Sequence, residues 1–244
     1  MKVGYTLLGD DSMIYLRQAN QRGHANHGWL DSWHSFSFAS YYDEKFMGFS
    51  ALRVINEDYI AAGQGFGTHP HKDMEILTYV LDGAVEHKDS MGNMEQIPAG
   101  EFQIMSAGTG IRHSEYNPDN EKALRLYQIW IMPNANGIEP RYEQKRFDSK
   151  NGRQLVLSPD AREGSLKVHQ DMTLWRWALS AKEHDTYEIA DKRVVWIQVV
   201  KGSIEVNGQK ATTSDGLAVW QESQLTIHAD DDSEILLFDL PAME

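Results

Sequence analysis

Seven short segments rich in β-branched and aromatic residues recur along the chain, with no long amphipathic helical pattern between them. They are ALRVINEDYI (51–60), EILTYVLDG (75–83), EFQIMSAG (101–108), LRLYQIWIM (124–132), WRWALSA (175–181), VVWIQVVKG (194–202) and EILLFDL (234–240). Glycine, proline, asparagine or aspartate bounds most of them. Apolar or alternating runs of this length, closed by turn residues, read as strands. Their spacing predicts an all-β sandwich or barrel. Helix signals are few and short: Ser158-Pro159-Asp160-Ala161-Arg162 opens at most one turn.

A weak repeat divides the strands into two sets. Tyr79-Val80-Leu81-Asp82-Gly83-Ala84-Val85-Glu86 is echoed by Val199-Val200-Lys201-Gly202-Ser203-Ile204-Glu205-Val206. A turn follows each copy, at Asp89–Asn93 and at Asn207-Gly208, and each copy ends in an apolar strand. Two similar β-domains in tandem fit the length of 244 residues. The loop through Pro133, Asn134, Asn136, Gly137 and Pro140 is the natural boundary. The expected division is therefore a tail at 1–12, an N-terminal barrel at 13–136, and a linker plus C-terminal barrel at 137–244, with Arg141 to Gln154 as linker or crossing segment.

Composition narrows the chemistry. The chain has no cysteine, which removes disulfides, cysteine-ligated zinc, iron–sulfur clusters and thiol catalysis. Any transition metal must be held by nitrogen and oxygen. A formal net charge of −13 argues against wrapping duplex DNA, which needs a basic surface. No apolar stretch approaches the roughly 20 residues of a membrane span. The opening MKVGYTLLGDDS lacks the pattern of a secretory signal, so a cytoplasmic location is expected.

Two pairs of residues carry the functional signal. In Thr68-His69-Pro70-His71, just before the strand from Glu75, the two histidines stand at i and i+2. In an extended chain that spacing places both imidazoles on one face, where they can grip one ion. Alone the pair reads equally well as two surface histidines flanking a proline turn. The second piece, GTGIRHSEYN (108–117), supplies His113 and Glu115 at the same spacing. Together they offer three imidazole nitrogens and one carboxylate with room for open positions. Fe(II), Mn(II), Ni(II), Cu(II) and Zn(II) all accept such a set.

The stretch GQGFGTHPHKDMEILTYVLDG (63–83) resembles the first cupin motif, and GEFQIMSAGTGIRHSEYN (100–117) is similar to the second. The HPH and GTGIRHSEYN segments, preceded by HGWLDSWHSFSFASYYD (27–43), resemble more narrowly the pirin family of the cupin superfamily. The resemblance runs from Met13 to the C-terminus. It implies an all-β bicupin, two tandem jelly-roll barrels with few short helices. One metal is implied in the N-terminal barrel, held by His69, His71, His113 and Glu115, with Fe(II) the expected ion. Bacterial pirin-like proteins further imply quercetin 2,3-dioxygenase activity, which opens a flavonol ring with O2 and releases carbon monoxide. Glu115 is then the expected proton acceptor for the substrate 3-hydroxyl, with Glu75 in reserve. The family also implies a rival role, a metal-binding redox regulator of a transcription factor or metabolic enzyme.

Two departures from pattern stand out. General cupins place their carboxylate ligand where Glu75 stands, whereas the pirin pattern uses Glu115. Lys72-Asp73-Met74 replaces the Arg-Gly-Phe of many pirins and leaves substrate-pocket details open. A pocket lined by Phe66, Met74 and Met105 would suit a planar aromatic molecule. The second repeat has Glu188-Ile189-Ala190 in place of HxH, and His228 is followed by Asp230 rather than glutamate. That barrel is expected to be structural. His24, His27 and His34 fit no ligand spacing and read as solvated or hydrogen-bonded. Gly63, Gly65 and Gly67 read as a flexible entry to a strand, and Trp175 and Trp177 as core or interface. A bicupin that pairs its own barrels is most simply a monomer.

Overall fold

Alternation along the strand segments becomes, in the computed structural model, four antiparallel-dominated sheets; residues 13–147 and 151–242 are described. The expected tail at 1–12 lies outside the described residues. Two three-residue 3-10 turns, Ala19–Gln21 and Arg162–Gly164, are the only helical elements among the described residues. The second lies at the end of the segment where the sequence allowed one turn.

The repeat is built into the topology. In the N-terminal half, a seven-stranded sheet runs in the order Arg141–Arg146, Glu101–Ser106, Glu75–Asp82, Leu124–Ile131, Leu52–Ile60, Leu30–His34 and Gly23–Asn26. Facing it is a four-stranded sheet ordered Gly65–His71, Ile111–Tyr116, Ala84–Asp89 and Met94–Pro98. The C-terminal half repeats the plan. Its seven strands are ordered Ile14–Arg17, Gly216–Val219, Arg193–Lys201, Ser233–Pro241, Thr173–Leu179, Gly152–Ser158 and Leu166–Lys167. Its four-stranded sheet runs His184–Glu188, Gln224–Ala229, Ser203–Val206 and Gln209–Thr212. Each half is a double-sheet jelly roll rather than one sheet hydrogen-bonded into a closed ring.

Strand pairing crosses the expected division of the chain. Ile14–Arg17 pairs with Gly216–Val219 and so joins the C-terminal sheet. Arg141–Arg146, expected in the linker, pairs with Glu101–Ser106 and extends the N-terminal sheet. Each large sheet thus has one edge covered by a strand from outside its own run of repeats, and covered edges resist pairing with other chains.

Three apolar layers follow from which face each strand buries. Leu30, Ile60, Val80, Val85, Ile97, Leu124 and Leu126 fill one part of the N-terminal jelly roll. Trp177, Val195, Ile197, Ile204, Leu225, Ile227 and Leu237 belong to the filling of the C-terminal one. The opposite faces of the two large sheets pack on each other through Ile55, Tyr79, Phe102, Tyr127, Ile129, Trp196, Leu236 and Phe238. Polar ties cross that layer: Tyr79 donates to Glu234 at 2.5 Å, and Arg176 pairs with the same carboxylate.

Trp196 is the keystone of the central layer. It is 2% exposed, packs against Phe36 and Phe49 at 4.9 and 5.7 Å, and sits so close to Gly216 that a Cβ there would lie 2.3 Å from the ring. Trp196→Ala should lower stability by about 3–5 kcal/mol while leaving one cooperative transition by circular dichroism. A variant whose halves melt separately with the N-terminal one unshifted would contradict a shared core.

Candidate metal centre

The site is assembled on the four-stranded sheet of the N-terminal half. Ile111–Tyr116 lies between Gly65–His71 and Ala84–Asp89, so its residues have neighbours on both sides. His113 stands opposite His69 on one side and opposite Asp89 on the other. His71 stands opposite Ile111, and Glu115 opposite His87. Pro70 interrupts the ligand strand without cost because that strand is the sheet edge. Gly65 has a packing role instead of the flexibility expected of it: a Cβ there would lie 2.2 Å from the Glu115 carbonyl oxygen.

Register and alternation bring the three histidines together. Their ring centroids are 4.5 Å apart for His69–His113, 4.8 Å for His69–His71 and 4.9 Å for His71–His113. One nitrogen from each lies within 4.8 Å of the others. His69 donates from Nδ1 to the Gly67 carbonyl at 2.8 Å, which leaves Nε2 as the acceptor or ligand atom. His113 is 2% exposed, and its Nε2 is buried with no hydrogen-bond partner. A buried polar atom without a partner is costly unless something satisfies it. Three convergent nitrogens around such an atom fit a transition-metal ion.

Glu115 belongs to an overlapping group. Its carboxylate, one nitrogen of His113 and one of His87 also lie within 4.8 Å of each other, and all three residues are buried. Its Oε2 accepts from Gln128 Nε2 at 2.9 Å, and its Oε1 from Thr78 at 3.5 Å. Both partners come from the facing large sheet, so the carboxylate bridges the two sheets beside the histidines. Gln128 is oriented in turn by Trp130, whose indole N–H donates to it at 3.3 Å, and Trp130 meets the His71 ring edge-on at 5.1 Å.

Other residues singled out in the sequence settle elsewhere. Glu75 is buried and accepts from Ser106 at 3.0 Å and from the backbone N–H of His169 at 3.2 Å, so it ties the two halves together. His24 contacts Asp31 at 2.8 Å and stacks on Trp33, and His34 contacts Asn56 at 2.8 Å. Among the described residues no group of three ligand-type side chains forms in the C-terminal half. Phe66 packs on Trp29 on one side of the histidines, whereas Met74 and Met105 join Ile76, Ile111 and Trp130 in a separate cluster. The three thus fall in two apolar clusters, and a cavity of about 270 Å³ opens beside His71, bordered by Lys72, Ser90, Ile111 and Arg112.

His87, Asp89, Asp58, Thr78 and Gln128 were not singled out by sequence reasoning. His87 and Asp89 carried a readable signal, the same i, i+2 spacing as the two recognised pairs. Asp58, Thr78 and Gln128 had none, because they reach the site only through the facing sheet.

Electrostatics keep the nitrogens neutral. Burial, then the neighbouring His113 and His69, pulls His71 down to about 4. Burial, then His69 and His87, pulls His113 down to about 3. Both therefore offer lone pairs at neutral pH. Asp58, fully enclosed and receiving a hydrogen bond from Ser32, moves the other way: burial, with Glu115 and Glu57 adding to it, pushes its carboxyl to about 7. A carboxyl with a raised folded value binds more protons folded than unfolded between about 4 and 7, so its contribution to stability is lost as pH rises through that window. Asp58→Asn should consequently gain on the metal-free wild type by up to about 4 kcal/mol from pH 4 to pH 7, then level off. Parallel stability curves across that window, measured in urea, would contradict this.

The family relationship agrees with this geometry. The pirin family profile matches residues 15–131, and the profile of the quercetinase C-terminal cupin domain matches 155–240. A quercetin 2,3-dioxygenase from Escherichia coli is 76% identical over 229 residues, spanning 94% of this chain and 99% of that protein. A pirin-like protein from Caulobacter vibrioides is 42% identical, over 93% of this chain and 99% of its own length. The crystal structure of the E. coli bacterial pirin YhhW in complex with nickel(II) superposes with a TM-score of 0.92 at 74% identity, covering 94% of this chain and 99% of that one. A jelly-roll pair with these matches over nearly its whole length belongs to the pirin family and is an all-β bicupin.

Proposed function

We propose that this chain is a metal-dependent quercetin 2,3-dioxygenase whose single divalent ion is held by His69, His71, His113 and Glu115. The observation that carries the reading is the buried, unpartnered Nε2 of His113 facing two further imidazoles. Support for the activity comes from relatives named quercetin 2,3-dioxygenase, and support for a divalent ion from the nickel(II) complex of the bacterial pirin. Fe(II) is the native ion in this reading, with Ni, Cu, Mn and Zn competing for the same donors. The N-terminal jelly roll supplies the centre, and the C-terminal one packs behind it as the cupin without metal ligands.

When bound, the metal supplies the Lewis acidity that favours the ionised 3-hydroxyl of a flavonol. The chain supplies position and protons. His69 and His71, only half-buried, leave the approach open, and Trp130 offers an aromatic edge against His71. Glu115 accepts the hydroxyl proton when its hold on the ion loosens, while Gln128 and Thr78 keep its carboxylate in line. Glu75 is not placed to act as a reserve acceptor, since both its oxygens are engaged by Ser106 and His169. Dioxygen then opens the activated ring with loss of carbon monoxide.

The test is oxygen uptake with quercetin by metal-free protein reloaded separately with Fe, Mn, Ni, Cu and Zn. Turnover is expected with a redox-capable ion, accompanied by carbon monoxide. Glu115→Ala and His69→Ala should each lower it by about 100-fold or more. Stoichiometric metal in the wild type with no turnover from any ion would move the reading to a regulator that binds a protein partner.

A further inference from the structure

Beside the three histidines lies a third i, i+2 pair, and the proposed reaction does not use it. His87 and Asp89 are both fully buried at their side chains, on the strand next to His113. His87 Nε2 lies 3.1 Å from Asp89 Oδ2, and its Nδ1 lies 3.5 Å from His113 Nδ1. We propose that Asp89 and His87 form a hydrogen-bonded relay that holds His113 as its Nδ1–H tautomer and so presents the Nε2 lone pair to the metal. The inference rests on the ligand set proposed above.

The direction of every hydrogen bond follows from the anchor. Asp89 Oδ1 accepts the backbone N–H groups of Met91 at 2.9 Å and Asn93 at 3.1 Å. Its Oδ2 accepts from Asn93 Nδ2 at 2.8 Å as well as from His87. Three donors besides His87, the backbone N–H groups of Met91 and Asn93 and the Asn93 amide, converge on this carboxylate and favour its ionised form. An ionised carboxylate only accepts, and the relay takes His87 as neutral, so its one ring proton sits on Nε2. His87 Nδ1 is then an acceptor, and among the described residues the one donor that reaches it is His113 Nδ1–H. His113 Nε2 is left with a bare lone pair, and that is the atom that has no partner in the protein.

The relay also separates the two overlapping groups of ligand-type residues. His87 has both ring nitrogens engaged and Tyr142 packed against its ring at 4.8 Å, so it serves as a positioning residue and not as a ligand. His69 is oriented by a neutral carbonyl, whereas His113 is oriented through an imidazole backed by a carboxylate. Such outer partners fix the ring and raise the basicity of the ligating nitrogen.

Asp89→Asn is nearly isosteric and inverts the logic. The backbone N–H groups of Met91 and Asn93 keep the amide oxygen on their side, so the amide nitrogen takes the place of Oδ2, where it donates to His87 while the Asn93 side-chain amide turns to present its oxygen. His87 must then donate from Nδ1, and His113 becomes the Nε2–H tautomer with its ligand position blocked. Long-range proton–nitrogen correlation spectra of the metal-free full chain read both tautomers directly. The wild type should show His113 as Nδ1–H and His87 as Nε2–H, and Asp89→Asn should show both reversed. Calorimetry with Zn(II) should show affinity falling about 10–100-fold in that variant. An Nε2–H His113 in the wild type, which needs no variant to fold, would overturn the relay. So would an unchanged tautomer and unchanged Zn(II) affinity in Asp89→Asn. Failure of the ligand reading has a different signature: Zn(II) binding indifferent to His69→Ala, whatever the tautomers.

Discussion

Side-chain alternation in one small sheet is the constraint on which the site depends. Three neighbouring strands, Gly65–His71, Ile111–Tyr116 and Ala84–Asp89, each carry a pair of polar residues two positions apart. A period of two keeps each pair on a single face. Register then does the remaining work by setting His113 between His69 and Asp89, and Glu115 across from His87. A slip of one residue in the central strand would turn His113 and Glu115 to the opposite face and abolish the cluster. The close approach at Gly65 and the shift of pairing between His113 and Glu115 pin that strand in place.

The rest of the fold keeps this small sheet from moving. Behind it stands a seven-stranded sheet that contributes Thr78 and Gln128 to Glu115, and behind that lies the apolar layer shared with the C-terminal half. A cupin without metal ligands therefore still matters to the centre. It buries the outer face of the sheet that orients the carboxylate, and its His169 occupies Glu75. The polar atoms of the site remain in a medium where neutral imidazole is favoured over its cation, as lone-pair donation requires.

Much of this was legible in the residues because strand periodicity and ligand spacing are local. The seven strand segments, the repeat, His69, His71, His113 and Glu115 all rest on patterns a few residues long. Their environment rests on contacts between distant segments. Glu75 has the same identity whether it faces a metal or a histidine 94 positions away, and only the fold decides. Asp58 sits in a strand whose residues from Val54 to Asp58 are all buried, against the alternation that a strand with one solvated face would show, and its enclosure depends on packing with distant segments such as Ser32. The exchange of edge strands, Ile14–Arg17 and Arg141–Arg146, is likewise invisible to a linear division of the chain, because either segment could pair with either sheet. His87 and Asp89 are an intermediate case: their spacing is there to read, but a turn through Asp89–Asn93 already accounts for Asp89.

The measurement that bears most directly on the account is anomalous diffraction at the absorption edge of an ion soaked into crystals of this protein, because it locates the metal without assuming a reaction. One peak is expected, about 2.0–2.2 Å from Nε2 of His69 and of His113, from a nitrogen of His71 and from a Glu115 oxygen, with His87 beyond bonding distance. A peak enclosed by His87, His113 and Glu115, or none near His113, would contradict it.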